Sequence, residues 1–168
     1  APDYILCHAS VRDDLVEALK AQITTQFGKN PLDNPNYGKI INKKHYSRLL
    51  GLIPAEKVAF GGETDEARCR IVPTILTGVT WEDPIMREEI FGPLLPVLTF
   101  RSFDGVISQV ESDGKPLATY LFSRNPEQIR LFRTRIVFGG GCINDTIIHL
   151  ATSQMGFGGV GESGMGAY

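Results

Sequence analysis

The apolar run Leu94–Phe100, which ends at the polar pair Arg101 and Ser102, is the feature that most constrains the fold of this chain. A short apolar run with polar ends predicts a buried strand. From Ser102 to Ile143 the pattern then alternates helix, strand, helix, strand, and the strands are apolar almost throughout. Such alternation is typical of parallel strands covered by helices. We therefore expect an α/β fold, with an open, largely parallel twisted sheet and helices on both faces, in a single domain spanning residues 1–168.

Capping residues and turn formers give approximate limits for the other elements. Polar residues that cap helices precede four helical patterns and one short turn that begins at Pro84. These predicted caps are Ser10, Asn42, Ser102, Asn125 and, for the turn, Asp83. The second helix is expected to reach Ile53, because Pro54 follows and cannot continue a helix. Strands are predicted at residues 4–9, 57–61, 69–79 (in two pieces around Pro73), 117–122 and 137–143, with a polar turn at 61–68.

The segment Glu-Ile-Phe-Gly-Pro, residues 89–93, stands directly before the apolar run. In an extended segment, Glu89 and Phe91 project to the same side. A carboxylate can accept hydrogen bonds from a vicinal diol, and an aromatic face suits a flat ring, so the pair together describes a site for a nucleoside. The alternative is that Glu89 forms a surface ion pair and Phe91 belongs to the core. Spacing alone favours this alternative.

The composition argues against several classes of protein. The net charge is -2 with no basic stripe, which argues against nucleic-acid binding. No apolar run approaches the roughly 20 residues needed to span a bilayer, and no signal peptide pattern opens the chain. Cys7, Cys69 and Cys142 are scattered, which indicates a reducing, cytoplasmic compartment without a disulfide framework or a zinc site. The histidines are too dispersed for a metal site.

Residues 156–166 are rich in glycine, and the stretch from Gly159 to Gly164 formally matches the dinucleotide-binding pattern Gly-x-Gly-x-x-Gly. We reject this match, because no strand leads straight into the stretch and neither a helix nor a distal acidic residue follows it. A phosphate-binding P-loop would need a lysine, which is absent from the stretch. A glycine loop with many positive φ angles is the simpler interpretation.

Three further groups are chemically reactive but have structural explanations. His149 is either a hydrogen-bonded core imidazole or a catalytic base, and Asp145 could orient it if the segment between them were helical. Cys142 falls in a predicted buried strand, which favours an inert thiol over a nucleophile. A hydrolase that uses Ser163 or Ser153 with His149 would lack the Gly-x-Ser-x-Gly elbow of that class.

Several motifs, in this order, resemble the aldehyde dehydrogenase superfamily and in particular its class 3 branch. They are residues 1–4, 38–42 and 73–76, the Glu-x-Phe-Gly-Pro motif, residues 115–118 with Tyr120, residues 139–145 and the tail at 156–166. The resemblance implies that Glu89 binds the ribose hydroxyls next to the nicotinamide and that Phe91 packs near the nicotinamide ring. It also implies that Asn144, His149 and Phe157 lie at the substrate pocket.

The resemblance further implies the chemistry of a parent enzyme. A small-molecule aldehyde would be oxidised to a carboxylic acid with NAD or NADP, through a thiohemiacetal and a thioester on a cysteine. In relatives that cysteine lies two positions before the residue matching Ala1, so no catalytic residue is expected within this chain. The general-base Glu and the main cofactor-binding domain are expected upstream as well. We therefore expect an inactive isolated chain from a homodimeric parent; the alternative is a non-catalytic interaction or scaffold module that retains the fold.

Overall fold

The computed structural model describes residues 2–152 and 154–166, which form four α-helices and eight β-strands. In chain order these are β1 (Ile5–His8), α1 (Arg12–Phe27), α2 (Lys43–Leu50), β2 (Val58–Phe60), β3 (Thr64–Asp65), β4 (Arg70–Ile71), β5 (Thr74–Thr77), β6 (Leu94–Phe100), α3 (Phe103–Ser112), β7 (Ala118–Leu121), α4 (Pro126–Arg135) and β8 (Gly140–Ile143). The chain divides into two compact units: a first unit of Pro2–Phe100, and a second unit that begins at Arg101.

The apolar run forms β6, which lies inside the four-stranded sheet of the first unit. The strand order is β1-β6-β5-β2. β6 runs parallel to both neighbours, with Ile5 of β1 opposite Val97 and Thr74 of β5 opposite Leu94. The edge strand β2 is antiparallel to β5. The predicted α/β fold with a largely parallel open sheet is therefore confirmed.

Side chains along these strands alternate between the two faces of the sheet, and each face carries a helix. On one face, Val16 of α1 packs with Cys7, Ile75 and Val97. On the other face, α2 contributes to a larger buried cluster, whose members are Tyr46, Leu49, Ile71, Leu76, Val79, Ile85, Ile90, Leu94 and Leu98. Because this larger cluster includes Ile90, the segment that carries Glu89 is attached directly to the core.

A short antiparallel pair replaces part of the predicted polar turn at residues 61–68. Thr64 and Asp65 of β3 lie opposite Ile71 and Arg70 of β4. The Asp65 carboxylate accepts hydrogen bonds from both the backbone N–H and the guanidinium of Arg68. The turn prediction was therefore wrong for Thr64 and Asp65, where side-chain bonds across the connection hold a small hairpin.

The second unit contains its own pair of parallel strands. β7 pairs with β8, with Ala118 opposite Gly140. α3 and α4 contact each other, and the ring of Phe132 in α4 stacks on Phe138, with centroids 5.2 Å apart. The alternation of helix and strand thus correctly predicted parallel strands, but β7 and β8 form a separate two-stranded sheet rather than an extension of the sheet around β6.

Three of the predicted helix caps are confirmed. The side-chain oxygens of Asn42, Ser102 and Asn125 accept backbone N–H bonds from the first turns of α2, α3 and α4. α2 is shorter than predicted and ends at Leu50, where the chain tightens so that the N–H of Ile53 donates to the Leu50 carbonyl. None of the helices in residues 2–152 and 154–166 is long and apolar enough to cross a membrane.

Two predicted caps are wrong because other partners take the side chains. The imidazole of His8, rather than the hydroxyl of Ser10, accepts a backbone N–H at the turn before α1, and α1 itself begins without a side-chain cap. The Asp83 carboxylate does not cap the turn that follows it. It bonds instead to the Lys57 ammonium, at 2.6 Å, and to the backbone N–H of Thr80, at 2.7 Å.

Candidate functional site

The 87–93 turn, defined as residues 87 to 93, connects the short 3-10 turn Pro84–Met86 to β6. Phe91 has a left-handed backbone, with φ of 50°, and the residue is 79% exposed. Glu89 is exposed as well. The alternative interpretation of this segment is therefore wrong for Phe91, which lies outside the core. The ion pair expected for Glu89 is made by its neighbour Glu88, whose carboxylate lies 2.9 Å from the guanidinium of Arg48.

Ile90 fixes the centre of the 87–93 turn. The residue is 1% exposed and belongs to the larger core cluster. Its backbone N–H donates to the Asp3 carboxylate at 2.9 Å, and its carbonyl accepts from the Arg48 guanidinium. Burial raises the pKa of the Asp3 carboxyl, and the hydrogen bond from Ile90 partly opposes that rise. The backbone on both sides of Ile90 is therefore held by side chains rather than by a sheet or helix ladder.

Gly92 and Pro93 fix the end of the turn. A Cβ atom at Gly92 would lie 2.6 Å from both Cδ atoms of Leu49, so only glycine lets the turn approach α2 this closely. The carbonyl of Pro93 accepts the backbone N–H of Thr74 at 2.8 Å. Phe91 is consequently an exposed ring between two attached residues.

The sequence analysis did not identify Asp3 and Arg48 as partners of the 87–93 turn. They contact Ile90 from 87 and 42 positions away in the chain, and no local pattern connects residues at such separations. The premise of an extended segment was also wrong, because the chain turns at Phe91. Glu89 and Phe91 both lie exposed on a turn that is attached to the rest of the first unit at several points. A carboxylate beside an aromatic ring suits a ligand that has a diol and a flat ring.

Asn144 follows β8 directly in the second unit. Its backbone is left-handed, with φ of 58°. Its side-chain amide donates to the Ser123 carbonyl at 3.0 Å and accepts the Ser123 backbone N–H at 2.9 Å. The predicted pocket residue Asn144 therefore ties the chain after β7 to the chain after β8, and its amide oxygen and nitrogen each have a protein partner.

His149 lies over β8 and is half-buried. Its Nδ1 is 3.7 Å from the Sγ of Cys142, and its ring centroid is 5.7 Å from that of Tyr120. A Cβ at Gly140 would come within 2.6 Å of the imidazole, so glycine makes room for the ring. The buried Nε2 has no hydrogen-bond partner among the residues that the structure describes. The hydrogen-bonded core imidazole, one of the two interpretations from the sequence, is thus only partly realised, because Nδ1 alone has a partner.

The neighbours of His149 differ from the predicted ones. Residues 144–147 are not helical, and the Asp145 carboxylate accepts the backbone N–H of Thr146 at 2.7 Å. Cys142, expected to be buried, is half-buried against the imidazole. The chain therefore places a thiol beside His149.

The glycine-rich tail folds back on itself and on β8. A Cβ at Gly139 would lie 2.2 Å from the carbonyl oxygen of Gly158, so these two backbones are in direct contact. Phe157, a predicted pocket residue, is half-buried. The Ser163 hydroxyl donates to the Val160 carbonyl and accepts the Val160 N–H. Ser163 is thus part of a local turn rather than a partner of the imidazole, and Ser153 lies outside the described residues.

Neither metal binding nor a surface cleft adds to this picture. Residues 2–152 and 154–166 contain no group of three or more His, Cys, Asp or Glu side chains that could hold a metal ion. An open cleft of about 320 Å³ in the first unit is lined by residues 39–42 and 67–70, away from Glu89 and Phe91. Arg70 at its wall already donates to the carbonyl of Leu32 at 2.8 Å. We therefore regard the cleft as a surface depression.

Known proteins are similar to this chain in sequence and in fold along its whole length. Aldehyde dehydrogenase family 3 member B3 from Mus musculus is 48% identical over 168 residues, which are 100% of this chain and 35% of the relative. The dimeric NADP-preferring aldehyde dehydrogenase from Bos taurus is 42% identical over 168 residues, which are 70% of that protein. A solved structure, the substrate-bound state of Staphylococcus aureus AldH, is 48% identical to this chain and matches its fold with a TM-score of 0.96. The match covers 100% of this chain and 37% of the AldH chain.

The chain thus spans about a third of the length of the mouse relative and of the solved structure. The sequence pattern of the aldehyde dehydrogenase family matches residues 1–168. The resemblance to the class 3 branch is confirmed by the family 3 relative, and the fold by the solved structure. From the family pattern, the identities and the fold together, the chain belongs to the aldehyde dehydrogenase family.

Proposed function

We propose that this chain is part of the catalytic domain of an NAD(P)-dependent aldehyde dehydrogenase, and that Glu89 and Phe91 bind the nicotinamide ribose and ring. The observation that carries the proposal is the exposure of Phe91, a residue that is 79% exposed while Ile90 beside it is 1% exposed. A non-glycine residue in a left-handed conformation costs about 1–3 kcal/mol and persists where the surroundings enforce it, often at ligand sites. A ring presented in this way is suited to contact a flat ligand.

The residues present fit the cofactor chemically. The exposed Glu89 carboxylate offers two acceptor oxygens to a ribose diol, and the exposed face of Phe91 offers an apolar surface to a ring. Bound NAD or NADP would supply the hydride acceptor for oxidation of the aldehyde. The work of this chain is to place the ribose and ring, because the 87–93 turn is held by Ile90 and Gly92 before any ligand arrives.

The nucleophile is proposed to come from outside this chain. The reaction needs a thiolate that attacks the aldehyde, and a base-activated water that releases the acid. Cys7 is 5% exposed, and burial raises the pKa of its thiol, so it stays protonated and shielded at neutral pH. Cys69 lies 3.8 Å from the Glu66 carbonyl at the small hairpin. Cys142 is turned to His149 and is half-buried.

The substrate pocket is proposed to include Asn144, His149 and Phe157. Because the amide of Asn144 is already bonded to Ser123 at both ends, its role would be to hold the wall of the pocket. The imidazole of His149, with one buried nitrogen lacking a partner in the described chain, would supply a polar group to that wall. The half-buried Phe157 would supply apolar surface.

The proposal extends to the assembly and the compartment of the whole enzyme. The bovine relative is named as a dimeric protein, which supports a homodimer. The three free thiols, at Cys7, Cys69 and Cys142, support a reducing compartment such as the cytoplasm. The family pattern runs across both compact units, which supports assigning them to a single catalytic domain.

Steady-state kinetics of the full-length protein test the cofactor site. Glu89→Gln replaces a charged acceptor, whose hydrogen bond is worth about 1.5–3 kcal/mol, with a neutral amide oxygen, whose bond is worth about 0.5–1.5 kcal/mol, so KM for NAD or NADP should rise by roughly tenfold. Phe91→Ala should raise the same KM by about tenfold, because ring stacking and buried area are lost. KM for the aldehyde should change little. The proposal is wrong if both variants retain the affinity for the cofactor and the turnover of the parent.

A second experiment addresses the nucleophile. The purified 168-residue chain is mixed with an aldehyde and NAD or NADP, and reduction of the cofactor is followed by absorbance. We expect no turnover, because no cysteine in the chain is proposed to form the acyl-enzyme. Steady reduction would refute this part of the proposal. A full-length parent that oxidises no aldehyde would favour the alternative of a non-catalytic scaffold.

A further inference from the structure

We propose that Arg48 and Asp3 are positioning residues that hold the 87–93 turn so that Phe91 and Glu89 meet the cofactor. This inference rests on the proposed function and adds two residues that touch neither ring nor ribose. Both contacts converge on Ile90, from α2 and from the segment before β1.

The Arg48 guanidinium contacts three consecutive residues of the turn. It donates to the Glu88 carboxylate at 2.9 Å, approaches the Glu89 carbonyl at 3.5 Å and donates to the Ile90 carbonyl. Only 25% of the Arg48 side chain is exposed, so water competes poorly for these bonds. A planar group with several fixed N–H donors is suited to such a set of acceptors, and the single ammonium of lysine is not.

These bonds bear directly on the conformation of Phe91. The Ile90 carbonyl belongs to the planar peptide that also contains the Phe91 nitrogen. Fixing this carbonyl therefore fixes the plane from which the φ angle of Phe91 is measured. Asp3 fixes the preceding peptide through the Ile90 N–H, at 2.9 Å. The unusual φ of 50° is thus set by two charged side chains on one side and by the close approach of Gly92 to Leu49 on the other.

Loss of Arg48 is expected to release the turn without altering either proposed cofactor ligand. The exposed Phe91 would then relax toward ordinary backbone angles, and the population able to bind the cofactor would fall. Affinity falls in proportion to that population. Because the core below Ile90 remains apolar and packed, the expected signature is a change in KM for the cofactor rather than a general loss of folded enzyme.

The test uses the full-length enzyme and the variants Arg48→Met, Arg48→Lys, Asp3→Ala and Asp3→Asn. We expect Arg48→Met and Asp3→Ala to raise KM for the cofactor by about tenfold, with less than about a twofold change in KM for the aldehyde. Asp3→Asn retains an acceptor oxygen, so its KM for the cofactor should stay close to that of the parent. The KM of Arg48→Lys for the cofactor should lie between that of Arg48→Met and that of the parent. Arg68→Met is the matched control, because Arg68 also bonds carboxylates in the first unit, at Asp65 and Asp33.

If Arg48→Met does not fold, Glu88→Ala removes one of the acceptors of Arg48 while leaving α2 intact, and should raise KM for the cofactor by about threefold. Unchanged KM for the cofactor in all Arg48, Asp3 and Glu88 variants would overturn the inference, as would equal changes in both KM values. Failure of this inference is separable from failure of the proposed function. If only this inference fails, Glu89→Gln and Phe91→Ala still weaken binding of the cofactor. If the proposed function fails, these two substitutions leave cofactor binding unchanged.

Discussion

Replacing Gly92 by alanine tests whether close contact with α2 shapes the 87–93 turn. The new Cβ would lie 2.6 Å from both Cδ atoms of Leu49 and 3.2 Å from its Cγ. Carbon atoms in contact prefer about 3.5–4.0 Å, so one side must move by roughly 1 Å. Leu49 is 0% exposed within the core cluster and has little room to withdraw. Overpacking of this kind costs about 1–3 kcal/mol of the free energy of unfolding.

A double-mutant cycle isolates that contact. Leu49→Ala alone should cost about 2–5 kcal/mol, because it leaves a cavity in the core. In the double variant the clashing atoms are absent, so adding Gly92→Ala should cost about 0.5 kcal/mol or less, which gives a coupling of about 1–3 kcal/mol. Gly38→Ala is the matched control, because a Cβ at that position would meet nothing within 4 Å.

Urea unfolding measures these free energies. Trp81 is the single tryptophan of the chain, and it packs against the same core cluster, so its fluorescence reports the unfolding of the first unit. The reasoning is refuted if Gly92→Ala is as stable as the parent, or if the costs of the two single substitutions simply add. Either result would mean that the turn does not rest on α2.

Three other substitutions probe the remaining contacts. The bond from Lys57 lowers the pKa of the Asp83 carboxyl below its usual 3.8, so this stabilisation is present above that value and is lost as the pH falls through the folded-state pKa. The difference in unfolding free energy between the parent and Lys57→Met should therefore shrink as the pH is lowered through and below 3.8 in urea titrations. Gly140→Ala should displace the imidazole of His149, which would change the NMR chemical shifts of its ring protons; unchanged ring shifts would contradict the contact. Asn144→Ala should lower the unfolding free energy by about 1–3 kcal/mol in urea titrations, because two bonds and a favoured left-handed residue are lost.

The caps show how far local sequence predicts this fold. Asn42 and Ser102 cap helices as predicted, because their partners are backbone N–H groups three residues away. Asp83 does not, because the Lys57 ammonium, 26 positions away in the chain, competes for its carboxylate. The same limit applies to the site. Glu89 and Phe91 could be selected from the motif, whereas the contacts of Ile90 with distant partners could not.

The triple glycine at the start of β8 shows which information comes from the sequence and which comes only from the fold. The sequence indicates only that side chains are excluded from this strand. In the fold, a different neighbour excludes a side chain at each glycine. A Cβ at Gly139 would meet the Gly158 carbonyl, one at Gly140 would meet the imidazole of His149, and one at Gly141 would lie 2.3 Å from the Thr119 carbonyl oxygen. These contacts arise between segments that are distant in the chain, so no periodicity carries them.

The sequence by itself determined the classes of element and the parallel strands, because these depend on side-chain polarity at fixed local spacing. Its resemblance to a known family, and not spacing, singled out Glu89 and Phe91. Only the tertiary structure decided that Phe91 is exposed at a φ of 50° and that Glu88, rather than Glu89, meets Arg48. Both outcomes depend on how α2 and the segment before β1 approach the turn. That approach is set by burial of apolar surface throughout the first unit, which acts between residues far apart in the chain.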